Sequence, residues 1–233
     1  TYLLDSTHDM PNTSQRPAVM IFPGGGYQHL SNREAEPVAM TFLAEGYHAF
    51  VLRYSIQENA VFPNPLNDAE EALELIRKNA DQWGVNPDQI AVCGFSAGGH
   101  LAAALGTMGR IRPNALILGY AVLLEWYLEH LQGHIPGPDK AVDELTPPAF
   151  IFSTANDTRV PVRNSITFAA ALDHAEIPFE LHIFPDGVHG LSLAKSHTSR
   201  GSKQMVKPDF AIWVELCLTW LENLFGGFAV DDD

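Results

Sequence analysis

One serine sits between glycines where a strand-like pattern gives way to a helical one. The stretch Gly94-Phe95-Ser96-Ala97-Gly98 follows the β-branched, apolar run Gln89-Ile90-Ala91-Val92-Cys93. It precedes Gly99-His100-Leu101-Ala102-Ala103-Ala104-Leu105, which is small, Ala-rich and helix-favouring. Strand, sharp turn and helix are therefore expected in that order. Glycines on either side let the two elements approach closely, so the serine can occupy a strained conformation with its hydroxyl lifted clear of a sheet. A bare G-x-S-x-G also occurs in ordinary Gly-rich loops. Here both flanks carry the pattern that makes the serine a candidate nucleophile, Ser96.

The rest of the chain places that corner in an alternating array. Residues 18–22 form an uninterrupted apolar run between Pro17 and Pro23, as expected of a strand buried on both faces. It ends in Pro23-Gly24-Gly25-Gly26-Tyr27, where three glycines allow backbone N–H groups to converge on one point. No Gly-Lys-Ser/Thr follows, so this is not a phosphate-binding Walker loop. Helical spacing over 34–46, a strand over 48–54 and a loop over 55–66 come next. Asn67-Asp68 then reads as a cap for a helix over 69–83, which makes Asp68 a structural group. Strands are expected over 115–122, 148–154 and 179–184, and helices over 160–175 and 209–225. Residues 123–147 break the rhythm with Trp126, Tyr127, His130, His134 and Gly-Pro pairs, which suggests a cap-like insertion over the sheet edge. Residues 192–207 read as a solvated loop or as the rim of a pocket. So regular an alternation implies an α/β fold: a mainly parallel sheet covered on both faces and joined by right-handed crossovers.

Composition sets limits on partners. With 233 residues, 46% of them hydrophobic, the chain can fill one large core, and a single domain over 1–233 is expected. Fourteen Lys plus Arg against 28 Asp plus Glu leave a formal charge of -14. Such a surface repels polyphosphate, so nucleic acid and anionic membranes are poor partners, whereas neutral or cationic small molecules are not excluded. A homo-oligomer is compatible with the composition. Cys93 in a strand and Cys217 in a late helix read as core residues outside any disulfide framework, in keeping with a reducing compartment. No membrane-length apolar run or basic leader is visible, although the chain begins without Met. A cytoplasmic location is the expectation.

Ligands of an open parallel sheet gather at the carboxyl ends of its strands. Ser96 follows the 89–93 strand, Asp157 the 148–154 strand, and His189 the 179–184 strand, in the loop Pro185-Asp186-Gly187-Val188-His189-Gly190. Nucleophile, acid and base would thus meet on one edge, in the chain order Ser, Asp, His. His189 would take the Ser96 proton while Asp157 holds the imidazole tautomer, and N–H groups of Gly24, Gly25, Gly26 and Ala97 would receive an oxyanion. Tyr27 and Trp126 are the candidate substrate-binding residues. Among rivals, His100 reads as a satisfied core or capping residue, His197 lies in the polar loop, and Asp186 competes with Asp157 for the acid role. No histidine pair has ligand spacing such as HExxH, so neither a metal nor another cofactor is expected.

At these residues the sequence resembles the α/β-hydrolase superfamily, and within it esterases and lipases related to acetyl-xylan esterases and the hormone-sensitive-lipase-like carboxylesterases. The resemblance spans nearly the whole chain through Pro23-Gly24-Gly25-Gly26-Tyr27, Gly94-Phe95-Ser96-Ala97-Gly98-Gly99-His100, Asp157-Thr158-Arg159-Val160-Pro161 and Gly187-Val188-His189-Gly190. Pro23 stands where many such esterases carry His, and the insertion after Val122 is short for a full lid. The resemblance implies a serine carboxylesterase acting on a small-molecule ester with a short acyl group, with acetylated sugars or xylo-oligosaccharides as expected substrates. Alternatives are an amide or peptide hydrolase of formamidase or oligopeptidase type, and a non-catalytic binding module that keeps the fold.

Overall fold

The computed structural model describes residues 1–125 and 136–230. Its centre is a six-stranded sheet built from β1 (Arg16–Phe22), β2 (His48–Val51), β3 (Val85–Phe95), β4 (Ala115–Gly119), β5 (Ala149–Thr154) and β6 (Phe179–Phe184). The spatial order is β2-β1-β3-β4-β5-β6 and every neighbouring pair is parallel. The expected parallel sheet is therefore present, and β3 lies inside it between β1 and β4. All seven residues of β1 and all five of β4 are buried, which is why these strands read as continuous apolar runs rather than as alternating ones.

Alternate residues of each strand feed two separate cores. Met20, Val92, Leu118 and Ile151 pack with Leu73 of the helix Asn64–Lys78, Leu101 of Ala97–Met108 and Phe168 of Arg163–His174. Ile21, Cys93, Ile117 and Phe152 pack on the opposite face with Phe42 of the helix Glu36–Ala44 and with Trp213 and Cys217 of the helix Trp213–Phe225. Period-two strands between period-3.6 helices explain the layering. The Trp213 ring stacks on Phe152 with centroids 4.4 Å apart. Both cysteines are free and buried, and burial pushes both thiols up.

Three local expectations are corrected. The second helix starts at Asn64, ahead of Asn67-Asp68, with Pro65 in its first turn where a missing N–H costs nothing. Asp68 therefore caps nothing, and its carboxylate accepts the Ser55 N–H at 2.7 Å, tying the loop after β2 to the helix. β4 ends at Gly119, before Val122, because Tyr120 turns the chain with φ 34°. Of the two readings of 192–207, a fully solvated loop is corrected, since Ser192, Leu193, Ala194, Thr198, Ser199 and Met205 are buried, held by two short 3-10 turns, while Arg200 and Met205 do line a cavity.

Candidate active site

The close approach expected around Ser96 is visible atom by atom. A Cβ on Gly94 would lie 2.2 Å from the Gly98 carbonyl oxygen, and a Cβ on Gly98 would lie 2.1 Å from the Phe22 carbonyl oxygen. Only hydrogen fits at either position. Between them Ser96 adopts φ 53°, ψ -116°, a conformation that costs L-residues on the order of 1–3 kcal/mol and persists where the surroundings over-determine it. Those surroundings are hydrogen bonds: the Ser96 N–H donates to Gly119 O, and its carbonyl accepts from the N–H groups of His100 and Val122.

The three side chains meet. Ser96 Oγ lies 2.9 Å from His189 Nε2, and His189 Nδ1 lies 2.7 Å from Asp157 Oδ2. The other carboxylate oxygen, Oδ1, accepts the backbone N–H groups of Arg159 at 2.8 Å and Val160 at 3.0 Å. These bonds aim Oδ2 at the imidazole. An ionised carboxylate can only accept, so Nδ1 carries the ring proton and Nε2 is left as the acceptor for the serine hydroxyl. The Asp157 side chain is 1% exposed, whereas that of His189 is 15% exposed. The acid is thus sealed below the base. The rival acid Asp186 is exposed and bonded instead to Asn156 and Lys207.

Ser96 and His189 open on a cavity of about 750 Å³ whose wall also includes Gly25, Gly26, Ala97, Val122, Val160 and Met205. Gly25, Gly26 and Ala97 therefore border the same space as Ser96. Gly24 does not: it is off the wall, and its N–H is committed to Glu34 Oε2 at 2.9 Å. Tyr27 is also corrected, since it is buried in the core edge-on to Tyr54 and its hydroxyl meets His100 Nδ1 at 2.6 Å. His100 is the satisfied core histidine expected, with Nε2 3.1 Å from the Pro136 carbonyl. A carbonyl only accepts, so Nε2 carries the proton and Nδ1 accepts the Tyr27 O–H. Burial lowers the His100 pKa to about 4, against a smaller opposing effect of the Pro136 bond. Trp126 lies outside the described residues. Among those described, no cluster of His, Cys, Asp or Glu is arranged to hold a metal ion, and no helix is long and apolar enough to cross a membrane.

A buried carboxylate missed by the sequence reading braces the site. Glu34 is 3% exposed, and besides Gly24 it accepts the Tyr120 hydroxyl at 2.7 Å. Tyr120 in turn accepts the Ser192 N–H at 2.9 Å and sets its ring edge-on to His189, centroids 5.1 Å apart. Next to it, Arg33 donates to the carbonyls of Gly190 and Thr198, both at 2.9 Å. Arg33 and Glu34 thus join the glycine loop, the end of β4 and the His189 loop. Glu34 reads in sequence as an ordinary helix-start acid, and only its three-dimensional partners distinguish it.

Comparisons with known proteins place the chain among hydrolases. The BD-FAE family model matches residues 4–118, and the prolyl oligopeptidase family model matches residues 137–210. The first range holds the glycine loop and Ser96, and the second holds Asp157 and His189. Endo-1,4-beta-xylanase B of Butyrivibrio fibrisolvens is 34% identical over 219 residues, covering 80% of this chain and 34% of that protein. Acetylxylan esterase of Xylanibacter ruminicola is 32% identical over 203 residues, covering 78% of this chain and 42% of that protein. The chain thus spans well under half the length of both curated relatives. The crystal structure of an α/β hydrolase enzyme from a Medee basin deep-sea metagenome library is 49% identical with TM-score 0.91. That match covers 95% of this chain and 90% of that one.

Proposed function

We propose that this chain, which belongs to the α/β-hydrolase superfamily and within it resembles the esterases, hydrolyses short-chain acyl esters through a covalent serine intermediate. The observation that carries the reading is the relay from Ser96 Oγ to His189 Nε2 at 2.9 Å and from His189 Nδ1 to Asp157 Oδ2 at 2.7 Å. As Oγ attacks the ester carbonyl, Nε2 takes its proton, and Asp157 stabilises the imidazolium that results. The oxyanion forms against the N–H groups of Gly25, Gly26 and Ala97. Each such donor is typically worth ~10²–10³ in turnover. Collapse breaks the carbonyl carbon to alcohol oxygen bond, and the imidazolium proton leaves with the alcohol. Water then gives a proton to His189, attacks the acyl carbon and releases the acid, restoring Ser96.

Acetylated sugars or xylo-oligosaccharides are the proposed substrates, supported by a relative named for acetylxylan ester hydrolysis. Nothing in the catalytic triad prefers an ester to an amide. The prolyl oligopeptidase match over residues 137–210 keeps amide or peptide hydrolysis as a second reading. Rates on paired 4-nitrophenyl acetate and acetyl 4-nitroanilide, together with acetate release from acetylated xylan, separate the two. Ester turnover that vanishes in Ser96→Ala supports the first reading. Equal or faster anilide turnover favours the second.

A further inference from the structure

The wall of the Ser96 cavity includes three arginines, Arg33, Arg159 and Arg200. That is unexpected in a chain whose formal charge is -14 and which holds only 14 Lys plus Arg. Among the described residues, the only carboxylate on the same wall is Glu34, which is buried and engaged with Gly24 N–H and Tyr120. Elsewhere Arg53 pairs with Glu36, Arg110 with Glu70 and Arg112 with Asp143, while Arg16 and Arg77 donate to backbone carbonyls. Among the described residues, none of the three cavity arginines has a carboxylate within ion-pair distance. Arg159 and Arg200 are also exposed, so their forks stand at the rim rather than in the floor.

Resting on the esterase function proposed above, we infer that the preferred ester carries a carboxylate on its alcohol portion, read by Arg159 and Arg200 at the rim of the cavity. The placement follows from size. A short acyl group sits beside Ser96 and the oxyanion donors, so what reaches the rim is the alcohol. A guanidinium offers a planar pair of donors that matches a carboxylate, and such charge-assisted pairs are stronger than neutral ones. Arg33, fixed by its bonds to Gly190 and Thr198, adds a positive charge to the wall without being free to move. The surrounding negative surface opposes highly charged ligands at longer range, which favours one carboxylate over a phosphate cluster. The site is thus a local inversion of the overall charge, and it selects among esters that all share the same chemistry at the acyl carbon.

The test pairs 4-acetoxybenzoate with methyl 4-acetoxybenzoate, which present the same acetyl group with and without a carboxylate. The ratio of kcat/KM for the charged over the neutral ester is compared between the intact chain and Arg159→Gln, Arg200→Gln and the double variant. Using the ratio cancels the intrinsic reactivity of each ester and any general loss from altered packing. The ratio is expected to fall at least ~10-fold in the double variant, to recover partly with Arg159→Lys, and to shrink with added salt. An unchanged ratio, or equal losses on both esters, overturns the inference. Failure of the esterase reading looks different, because neither ester would then be hydrolysed in a Ser96-dependent way.

Discussion

Glu34 and Tyr120, 86 residues apart in the chain, are joined by a 2.7 Å hydrogen bond that ties the glycine loop to the strand end beside His189. Glu34→Gln puts an NH2 where an oxygen accepted. That group must face either the Gly24 N–H or a Tyr120 hydroxyl that already accepts from Ser192. One buried donor is left unmatched in each case, at about 1–3 kcal/mol. We expect kcat for a short ester to fall at least ~10-fold while KM moves little, because the loop carrying Gly25 and Gly26 loses its anchor. A double-mutant cycle with Tyr120→Phe should show strong non-additivity in both kcat and melting temperature.

The two candidate acids are separated by their partners. Asp157 is sealed and aimed by two backbone N–H groups, whereas Asp186 is exposed and held by Asn156 and Lys207. Asp157→Asn should lower kcat by ~10³–10⁴, since the amide can no longer fix the imidazole tautomer. Asp186→Asn should leave kcat within about threefold of the original, as expected for a surface group. Steady-state kinetics on one neutral ester checks both.

Acid should destabilise the protein through His100. Burial holds its folded pKa at about 4, below its ordinary 6.5, so the unfolded chain binds the proton more readily. The neutral, buried form contributes fully above pH 6.5, and that contribution is lost as pH falls toward 4. Its size is on the order of a few kcal/mol. Asp143, held at about 2 by Arg112, works in a lower window: its contribution is present above its ordinary 3.8 and is lost as pH falls toward 2. Urea midpoints measured from pH 7.5 to 4.5 should therefore decline, and His100→Asn should flatten the slope.

The glycine behind the nucleophile is a packing requirement. In Gly98→Ala the added methyl would meet the Phe22 carbonyl at 2.1 Å, backbone against backbone. Overpacking typically costs 1–3 kcal/mol, and with no flexible side chain to yield the loss should be at least ~2 kcal/mol. Thermal melts of the variant check it, with an unchanged midpoint opposing the geometry.

Legibility in the sequence followed chain distance. Strands buried on both faces appear as unbroken apolar runs, and Ser96 and Asp157 each follow one, whereas His189 follows the partly exposed edge strand β6. The early start of the helix Asn64–Lys78 was hidden because Pro65 looks like a breaker until it is placed in a first turn. Tyr27 misled for a related reason: adjacency to a glycine loop says nothing about which face its ring takes, and the ring turns inward to His100 and Tyr54. Gly24 shares its N–H with a carboxylate ten residues on, and Glu34 gains its importance from Tyr120 and Ser192. Neither partnership has a periodic or motif signature, because each exists only once the strands are side by side.

The covalent intermediate is the most direct test. The protein would be mixed with 4-nitrophenyl acetate, quenched in acid within the first turnover and digested for mass spectrometry. One acetyl group is predicted on the peptide containing Gly94-Phe95-Ser96-Ala97-Gly98, at Ser96, accompanied by a burst of nitrophenol and absent from Ser96→Ala. Steady ester turnover with no acetyl on that peptide, or with turnover intact in Ser96→Ala, would contradict the account.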